Sequence, residues 1–180
     1  MTRPVRKPPA TVSRKALLVG GSDLAFREVV DDLVRLAARL QQVRGGLAAM
    51  IGVTPPQYGI IMHLARHAPP EGQRLGKIAE ALDVSLSFVV AEVRRLEKMR
   101  LVVTRRDPAD GRAMLARLGA AGERALARAA PVMQKVNDSL FGALSRADLV
   151  ELGRLAAAVH VDSAGALAEL QAHRAGRLVK

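Results

Sequence analysis

The chain has 180 residues, which suits one domain, or one lobe with additional helices that build an oligomer. Its formal net charge of +11 suits a polyanionic partner, although many basic proteins never touch nucleic acid. It contains no cysteine, which excludes disulfides, thiolate metal sites and thiol-based redox sensing. Aromatic residues make up only 2% of the chain and hydrophobic residues 49%, so we expect a core of packed helices rich in alanine and leucine. No apolar run is long enough to span a membrane.

Residues 1–21 form a predicted basic arm, in which three prolines prevent a helix. Its cations are Arg3, Arg6, Lys7, Arg14 and Lys15. Two interpretations stay open: the arm contacts DNA, or it is a tail that is solvated or lies across a partner subunit. The apolar stretch at residues 16–19 is too short for a secretory signal, so we expect a cytoplasmic protein.

A long amphipathic helix is predicted after Gly20 and Gly21, with Ser22 or Asp23 as its cap. Apolar residues recur there at intervals of three and four, which makes one continuous stripe along a helix. The stripe consists of Phe26, Val30, Leu33, Ala37, Leu40, Val43 and Leu47. We expect this helix, within residues 22–53, to bury its stripe against a second copy of the chain.

The next helix begins with a recognisable cap. Thr54 is followed by two prolines and then by Gln57, which is the pattern of a capping box. His63 and His67 are four residues apart and therefore share one face of this helix. They suit a metal site, ordinary surface or core histidines, or an effector pocket. A zinc site is disfavoured because no cysteine or acidic cluster supplies further ligands.

A helix-turn-helix is predicted from residue 75 onward. Residues 75–82 form a short helix, Asp83 and Val84 make the turn, and Ser85 caps a second helix. The second helix buries a line of apolar residues at the spacing i, i+4, i+7, namely Val89, Val93 and Leu96. Its opposite face carries Leu86, Ser87, Val90, Ala91, Arg94 and Lys98.

A basic hairpin follows this pair of helices. Two β-like runs, residues 101–104 and 113–116, flank a turn centred on Asp110 and Gly111. Arginine residues crowd the tip between the runs, at positions Arg105, Arg106 and Arg112. A helix followed by a basic hairpin is typical of winged-helix proteins, which place the helix in a major groove and the hairpin over a minor groove.

The chain resembles the MarR family of bacterial transcriptional regulators over residues 24–159. The most specific segment is the wing, where Asp110-x-Arg112 follows Asp107-Pro108. Supporting segments are Thr54-x-x-Gln57-Tyr58, Val84-Ser85-x-Ser87, Arg95-Leu96-Glu97-Lys98 and Leu144-Ser145-x-x-Asp148.

The resemblance implies a mainly α fold with a small β-wing, in which the first and last helices intertwine in a homodimer. It divides the chain into the arm at 1–21, a dimerisation helix at 22–53, a winged lobe at 54–118 and C-terminal dimerisation helices at 119–180. It implies that the protein is a repressor. The partner that it implies is double-stranded DNA, bound at a pseudo-palindromic operator. The predicted DNA-binding residues are Ser85, Ser87, Arg94, Lys98, Arg105, Arg106 and Arg112.

In proteins of this family the wing arginine, here Arg112, enters the minor groove, and the neighbouring Asp110 is paired with it. A narrow minor groove concentrates negative potential that attracts arginine, and a carboxylate fixes the guanidinium fork. In an alternative interpretation, Asp110 is only a turn residue beside Gly111.

The sequence departs from the family along the reading helix, where Phe88, Val90 and Ala91 replace polar residues. We expect the front of this helix to be mostly apolar and direct base readout to be weak. This opens an alternative function, a protein–protein interaction module with weak or lost DNA binding. Met99 and Arg100 replace the usual glycine after the helix, so we expect its left-handed cap to be absent.

A small anionic effector is the second partner that the resemblance implies. It is an aromatic or acyl carboxylate, bound where the winged lobe meets the dimerisation helices. The polar residues available there are Arg39, Arg44, His63, Arg66 and His67, of which Arg44 and His63 are the leading candidates. No cofactor, metal or catalytic residue is predicted, and the chain is not expected to be an enzyme.

Overall fold

The computed structural model describes the backbone of residues 8–178 and the side chains of residues 8–175. The predicted mainly helical fold with a small β-wing is confirmed. After a 3-10 turn at Lys15–Leu17 the elements are α1 Leu24–Met50, α2 Pro55–His67, β1 Gln73–Arg74, α3 Leu75–Leu82, α4 Leu86–Lys98, β2 Val102–Arg106, β3 Met114–Leu118, α5 Ala120–Phe141 and α6 Arg146–Leu178. The chain divides into two compact units, the first ending at Met133 and the second beginning at Gln134.

The start of α1 holds the preceding segment through Asp23. The Thr11 main-chain N–H and hydroxyl donate to Asp23 Oδ2 at 2.8 and 2.9 Å, and Arg27 Nε donates to the same oxygen at 2.9 Å. The Thr11 N–H is the main cause that lowers the pKa of Asp23 to about 2. Ser22 Oγ accepts the N–H of Leu24 at 3.3 Å, so Ser22 satisfies a helix donor. Arg3, Arg6 and Lys7 of the predicted arm lie outside the described residues.

The core of the first unit is built from α2 and its neighbours. The predicted capping box is present: Thr54 N–H donates to Gln57 Oε1 at 3.1 Å, and Gln57 N–H donates to Thr54 Oγ1 at 3.5 Å. Only the last part of α1 enters this core, through Leu47 and Ala48. The largest fully buried side chains are Ile60, Ile61, Ile78, Leu96, Val89, Val93 and Val102.

The wing is a three-stranded antiparallel sheet in the order β1-β3-β2. Val102 pairs with Leu118 and Arg106 with Met114, so the predicted hairpin is confirmed. The short strand β1, in which Gln73 pairs with Ala116, was not predicted. Gly72 permits this pairing, because its φ is +106° and an added Cβ would lie 3.0 Å from the Ala116 carbonyl oxygen.

The expected absence of a left-handed cap after α4 is wrong. Arg100 adopts φ +60°, although it is not glycine. Its N–H donates to the Glu97 carbonyl at 2.8 Å, and the Leu101 N–H donates to the Leu96 carbonyl at 3.0 Å. These bonds satisfy the carbonyls at the helix end. Leu101 is then buried in the core, and this burial compensates for the strained backbone at Arg100.

Two helices expose long apolar surfaces. In the first unit, α1 exposes Val29, Val30, Leu33 and Val34. In the second unit, α6 begins with Ser145 as its cap, since the Asp148 N–H donates to Ser145 Oγ at 3.2 Å. Its exposed apolar residues include Leu149, Leu155, Val159, Leu167 and Leu170. Neither these two helices nor any other in the described part of the chain is long and apolar enough to cross a membrane.

Candidate nucleic-acid interface

Helices α3 and α4 form the predicted helix-turn-helix. Asp83 ends α3 in the left-handed conformation, with φ +52°, which allows the chain to turn within three residues. Ser85 then caps α4, since its Oγ accepts the N–H of Phe88 at 3.2 Å. Val89, Val93 and Leu96 are buried as predicted, and Glu92 is buried with them. The opposite face of α4 is therefore the one presented to solvent.

The exposed face of α4 combines polar and apolar side chains. Ser87, Ala91, Arg94 and Lys98 are all exposed, and their spacing of three and four places them on one strip opposite the buried line. Val90 is half-buried at the edge of this strip. Phe88, which is exposed, lies on the opposite flank of the strip. The expectation of a mostly apolar front to this helix stays a prediction.

Ser85 and Ser87 lie together at the N-terminal end of α4. Their hydroxyl oxygens are 3.1 Å apart, and both residues are exposed. Ser85 already accepts a main-chain N–H, so Ser87 has more freedom to contact an external acceptor. A role for either serine in binding DNA stays a prediction.

The three predicted wing arginines differ in how they are held. Arg105 Nε donates to the Glu71 carbonyl at 3.0 Å, and Arg106 Nη1 donates to the Gly111 carbonyl at 3.3 Å. The guanidinium of Arg112 makes no hydrogen bond or ion pair with any described residue, and it is exposed at the tip. Of the three, Arg112 is the one whose charge is available at the tip without breaking an internal bond.

Asp110 contacts Arg112 in a way that the family resemblance did not imply. Its Oδ1 accepts the main-chain N–H of Arg112 at 3.1 Å, and its Oδ2 lies 4.0 Å from the Arg74 guanidinium. The carboxylate therefore shapes the turn, as in the alternative interpretation, and does not pair with the Arg112 guanidinium. The physical reason is proximity, since a main-chain donor two residues away is reached without ordering a long side chain.

Asp107 organises the base of the wing tip, a role that its place in the Asp107-Pro108 motif did not predict. It is only 7% exposed; Oδ1 accepts the Ala109 N–H at 2.9 Å, and Oδ2 accepts Arg74 Nε at 2.6 Å. The Ala109 N–H and the Arg74 guanidinium together hold the pKa of Asp107 below its ordinary value. An aspartate at the end of a strand, followed by Pro108, is a recognisable turn signal, whereas Arg74 gave no comparable signal.

A groove runs between α4 and the wing, within the first unit. Its volume is about 440 Å³, and its walls combine apolar side chains with several charges. Leu86, which is 52% exposed, lies on the α4 side, and Arg112 lies on the wing side. The groove thus brings the wing arginine next to the first turn of the reading helix. Its remaining charged residues are Arg74, Lys77, Glu80 and Asp110.

A larger cavity of about 740 Å³ lies beside α2, also within the first unit. The structure brings Arg44, His63, Arg66 and His67 together on its wall, and Lys77 and Glu80 complete its charged lining. Arg39, the fifth predicted residue, is exposed and does not line it. The cavity therefore carries three permanent cations, two histidines and one carboxylate, which favours an anionic ligand.

His63 is partly buried in the wall of this cavity, close to other basic side chains. Burial, followed by the positive fields of His67 and Arg66, lowers its pKa below the ordinary value. Its Nε2 is buried and has no hydrogen-bond partner among the described residues, and its ring lies 5.1 Å from that of His67. Arg44 stacks over Tyr58, with its guanidinium carbon 5.4 Å from the ring centre. Within the described residues, no three histidine, aspartate or glutamate side chains are grouped as a metal site.

These elements define a winged helix-turn-helix protein. Residues 51–113 match the model of the MarR family. The PcaV transcriptional regulator from Streptomyces coelicolor, solved with its natural ligand, is 27% identical, with a TM-score of 0.56 over 71% of this chain and 91% of PcaV. The repressor CouR, solved on a 23-mer DNA duplex, is 27% identical, with a TM-score of 0.60 over 72% of this chain and 89% of CouR.

AbsC, a MarR family regulator from Streptomyces coelicolor, shares the fold at 22% identity, with a TM-score of 0.65 over 82% of this chain and 97% of AbsC. No curated protein sequence matches the chain significantly. The family match over residues 51–113 and the likeness to PcaV and CouR support a winged-helix regulator of the MarR family.

Proposed function

We propose that this protein is a homodimeric, sequence-specific DNA-binding repressor, which a small anionic ligand releases from its operator. The observation that carries the proposal is the combined surface of α4 and the wing. Ser87, Arg94 and Lys98 form an exposed polar strip on α4, and Arg112 is exposed at the wing tip beside it. That combination suits a helix in a major groove and an arginine in the adjacent minor groove.

The relatives support this proposal. CouR is a repressor whose solved structure contains a DNA duplex, and PcaV is a regulator whose solved structure contains its natural ligand. Both are matched over about nine tenths of their own length. We therefore assign DNA binding to the surface of α4 and the wing in this chain. We assign the response to a ligand to the cavity beside α2.

The dimer is proposed from the exposed apolar surfaces of α1 and α6. Val29, Leu33 and Val34 of α1 are each roughly half exposed or more on the single chain, and so are Leu149 and Val159 of α6. Apolar patches of this kind mark interfaces between proteins. We assign residues 22–53 and 119–180 to dimerisation and residues 54–118 to DNA binding. Light scattering should give twice the chain mass of 19.2 kDa, and a stable monomer at micromolar concentration would contradict this assignment.

The ligand is proposed to be an aromatic or acyl carboxylate held by Arg44 and His63. An anion in the cavity supplies the acceptor that the buried His63 Nε2 lacks among the described residues. Met62 and Leu82 give the cavity an apolar wall for the body of such a molecule. A melting-temperature screen with benzoate-type acids, phenylpropenoates and their coenzyme A thioesters tests this assignment.

A protein–protein interaction module is the second candidate function. It is favoured by the exposed apolar side chains of Leu86 and Phe88, which are 52% and 38% exposed beside the polar strip. A gel-shift titration with the DNA that flanks the protein's own gene separates the two candidates. A retarded band that survives an excess of unrelated duplex supports the repressor, and its absence at all protein concentrations favours the interaction module.

A further inference from the structure

A buried carboxylate ties the reading helix α4 to the first turn of α2. Glu92 and Gln57 are each only 5% exposed, and Gln57 Nε2 donates to Glu92 Oε2 at 2.9 Å. Arg95 donates to the other oxygen, Oε1, of the same carboxylate. Gln57 is also the residue that closes the capping box with Thr54. One continuous set of hydrogen bonds therefore runs from the N-terminus of α2 to the middle of α4.

Stability alone does not explain a carboxylate at this position. Burying a charge is costly, and an apolar side chain of similar size would often be as stable or more so. The other buried residues of α4, Val89, Val93 and Leu96, are all apolar. A hydrogen bond differs from apolar packing in that it requires a defined distance and angle. The Gln57–Glu92 bond therefore fixes the rotation of α4 against α2 more narrowly than packing does.

We propose that Glu92 is a positioning residue for base recognition, which acts through Gln57 and touches no DNA itself. Ala91 and Arg94 lie on the exposed strip of the same helical turn, so a rotation of α4 would move Arg94 relative to a base edge. Non-specific attraction to phosphates does not depend on such alignment. This inference rests on the proposed DNA-binding function and adds the residue that gives α4 its register in the groove.

The test uses the full chain and two fluorescent duplexes, one from the control region of its own gene and one with the same bases scrambled. Glu92→Leu is compared with Glu97→Leu, which removes the same charge from the same helix at an exposed residue bonded to Thr104. The measured quantity is the ratio of affinities for the two duplexes. We expect Glu92→Leu to lower this ratio about tenfold, the loss of roughly one base contact, and Glu97→Leu to leave it unchanged.

Equal ratios for Glu92→Leu and Glu97→Leu would overturn the inference while leaving DNA binding intact. If Glu92→Leu does not fold, the double variant Gln57→Leu/Glu92→Leu decides, because replacing both partners with apolar residues leaves no unpaired buried group. We expect the double variant to lower the ratio of affinities about tenfold as well. An unchanged ratio, or a double variant that also fails to fold, would overturn the positioning role. A wild-type protein that does not distinguish the two duplexes would instead contradict the proposed function.

Discussion

An ion pair between Arg74 and Asp107 joins the residue that precedes α3 to the base of the wing. Arg74 Nε and Nη2 each lie 2.6 Å from Asp107 Oδ2, and the other carboxylate oxygen holds the Ala109 N–H. The pair lies 33 residues apart in sequence. It fixes the tip that carries Arg112 relative to the helix-turn-helix, so the two halves of the proposed DNA surface move as one.

We therefore expect Asp107→Ala to loosen the wing tip. The Ala109 and Ala113 amides should exchange hydrogen faster, because the turn that includes their bonds loses its central acceptor. DNA affinity should fall, by less than in Arg112→Ala, since the arginine is displaced and not removed. Glu97→Ala, which breaks only an exposed bond to Thr104, is the control. Unchanged exchange at Ala109 would show that Asp107 does not organise the tip.

Arg112→Ala should weaken DNA binding and lower the slope of log affinity against log salt by roughly one unit. The physical reason is the loss of one cation from the minor groove. Arg154→Ala, on α6 and paired with Glu151, is the matched control and should change neither quantity by as much. Titration of both variants across a range of salt concentrations measures the difference. The same affinity for wild type and Arg112→Ala at every salt concentration would remove the wing from the interface.

Arg100 offers a test of backbone strain that is independent of function. Its φ of +60° costs about 1 kcal/mol for a residue with a Cβ, and glycine avoids this cost. Arg100→Gly should therefore be more stable than Arg100→Ala by about 1 kcal/mol in urea unfolding. Both variants lose the same charge, so electrostatics cancel in the comparison. A more stable alanine variant would mean that position 100 is not left-handed in solution.

Ligand binding should depend on pH through His63. Its lowered pKa keeps the imidazole neutral above the ordinary value of 6.5, and a bound anion would favour the charged form. Binding then takes up a proton, so affinity for a benzoate-type anion should rise as pH falls from about 8 to 6, at most tenfold per unit. Calorimetry in buffers of different ionisation enthalpy measures the proton uptake.

Two histidine variants test this pH dependence. His63→Gln should flatten the pH dependence, whereas His173→Gln on α6 should not, since that residue does not line the cavity. The unliganded protein should also lose stability as pH falls below 6.5, because the unfolded chain then binds the proton more readily than the folded one. Identical pH profiles for wild type and His63→Gln would exclude His63 as the anion's partner.

Local features were predictable from sequence, and contacts between distant segments were not. Thr54 and Ser85 were identified as caps because a cap depends on residues two or three positions away. Glu92 lies 35 residues from Gln57, and no periodic pattern distinguishes a buried glutamate from an exposed one. The left-handed backbone of Arg100 was not predicted, for a related reason. The preference for glycine in this conformation is local, whereas the burial of Leu101 in the core overrides it.

The most direct test of the central claim is the anisotropy of a fluorescent duplex from the control region of the protein's own gene, titrated with wild-type protein at several salt concentrations. We expect two chains to bind each duplex, with an affinity at least about a thousandfold above that for a scrambled duplex. The affinity should fall steeply as salt increases, because the positively charged surface of α4 and the wing displaces counterions from the DNA. Equal affinity for both duplexes at every salt concentration, or no binding to either, would contradict the assignment of α4 and the wing as a sequence-reading surface.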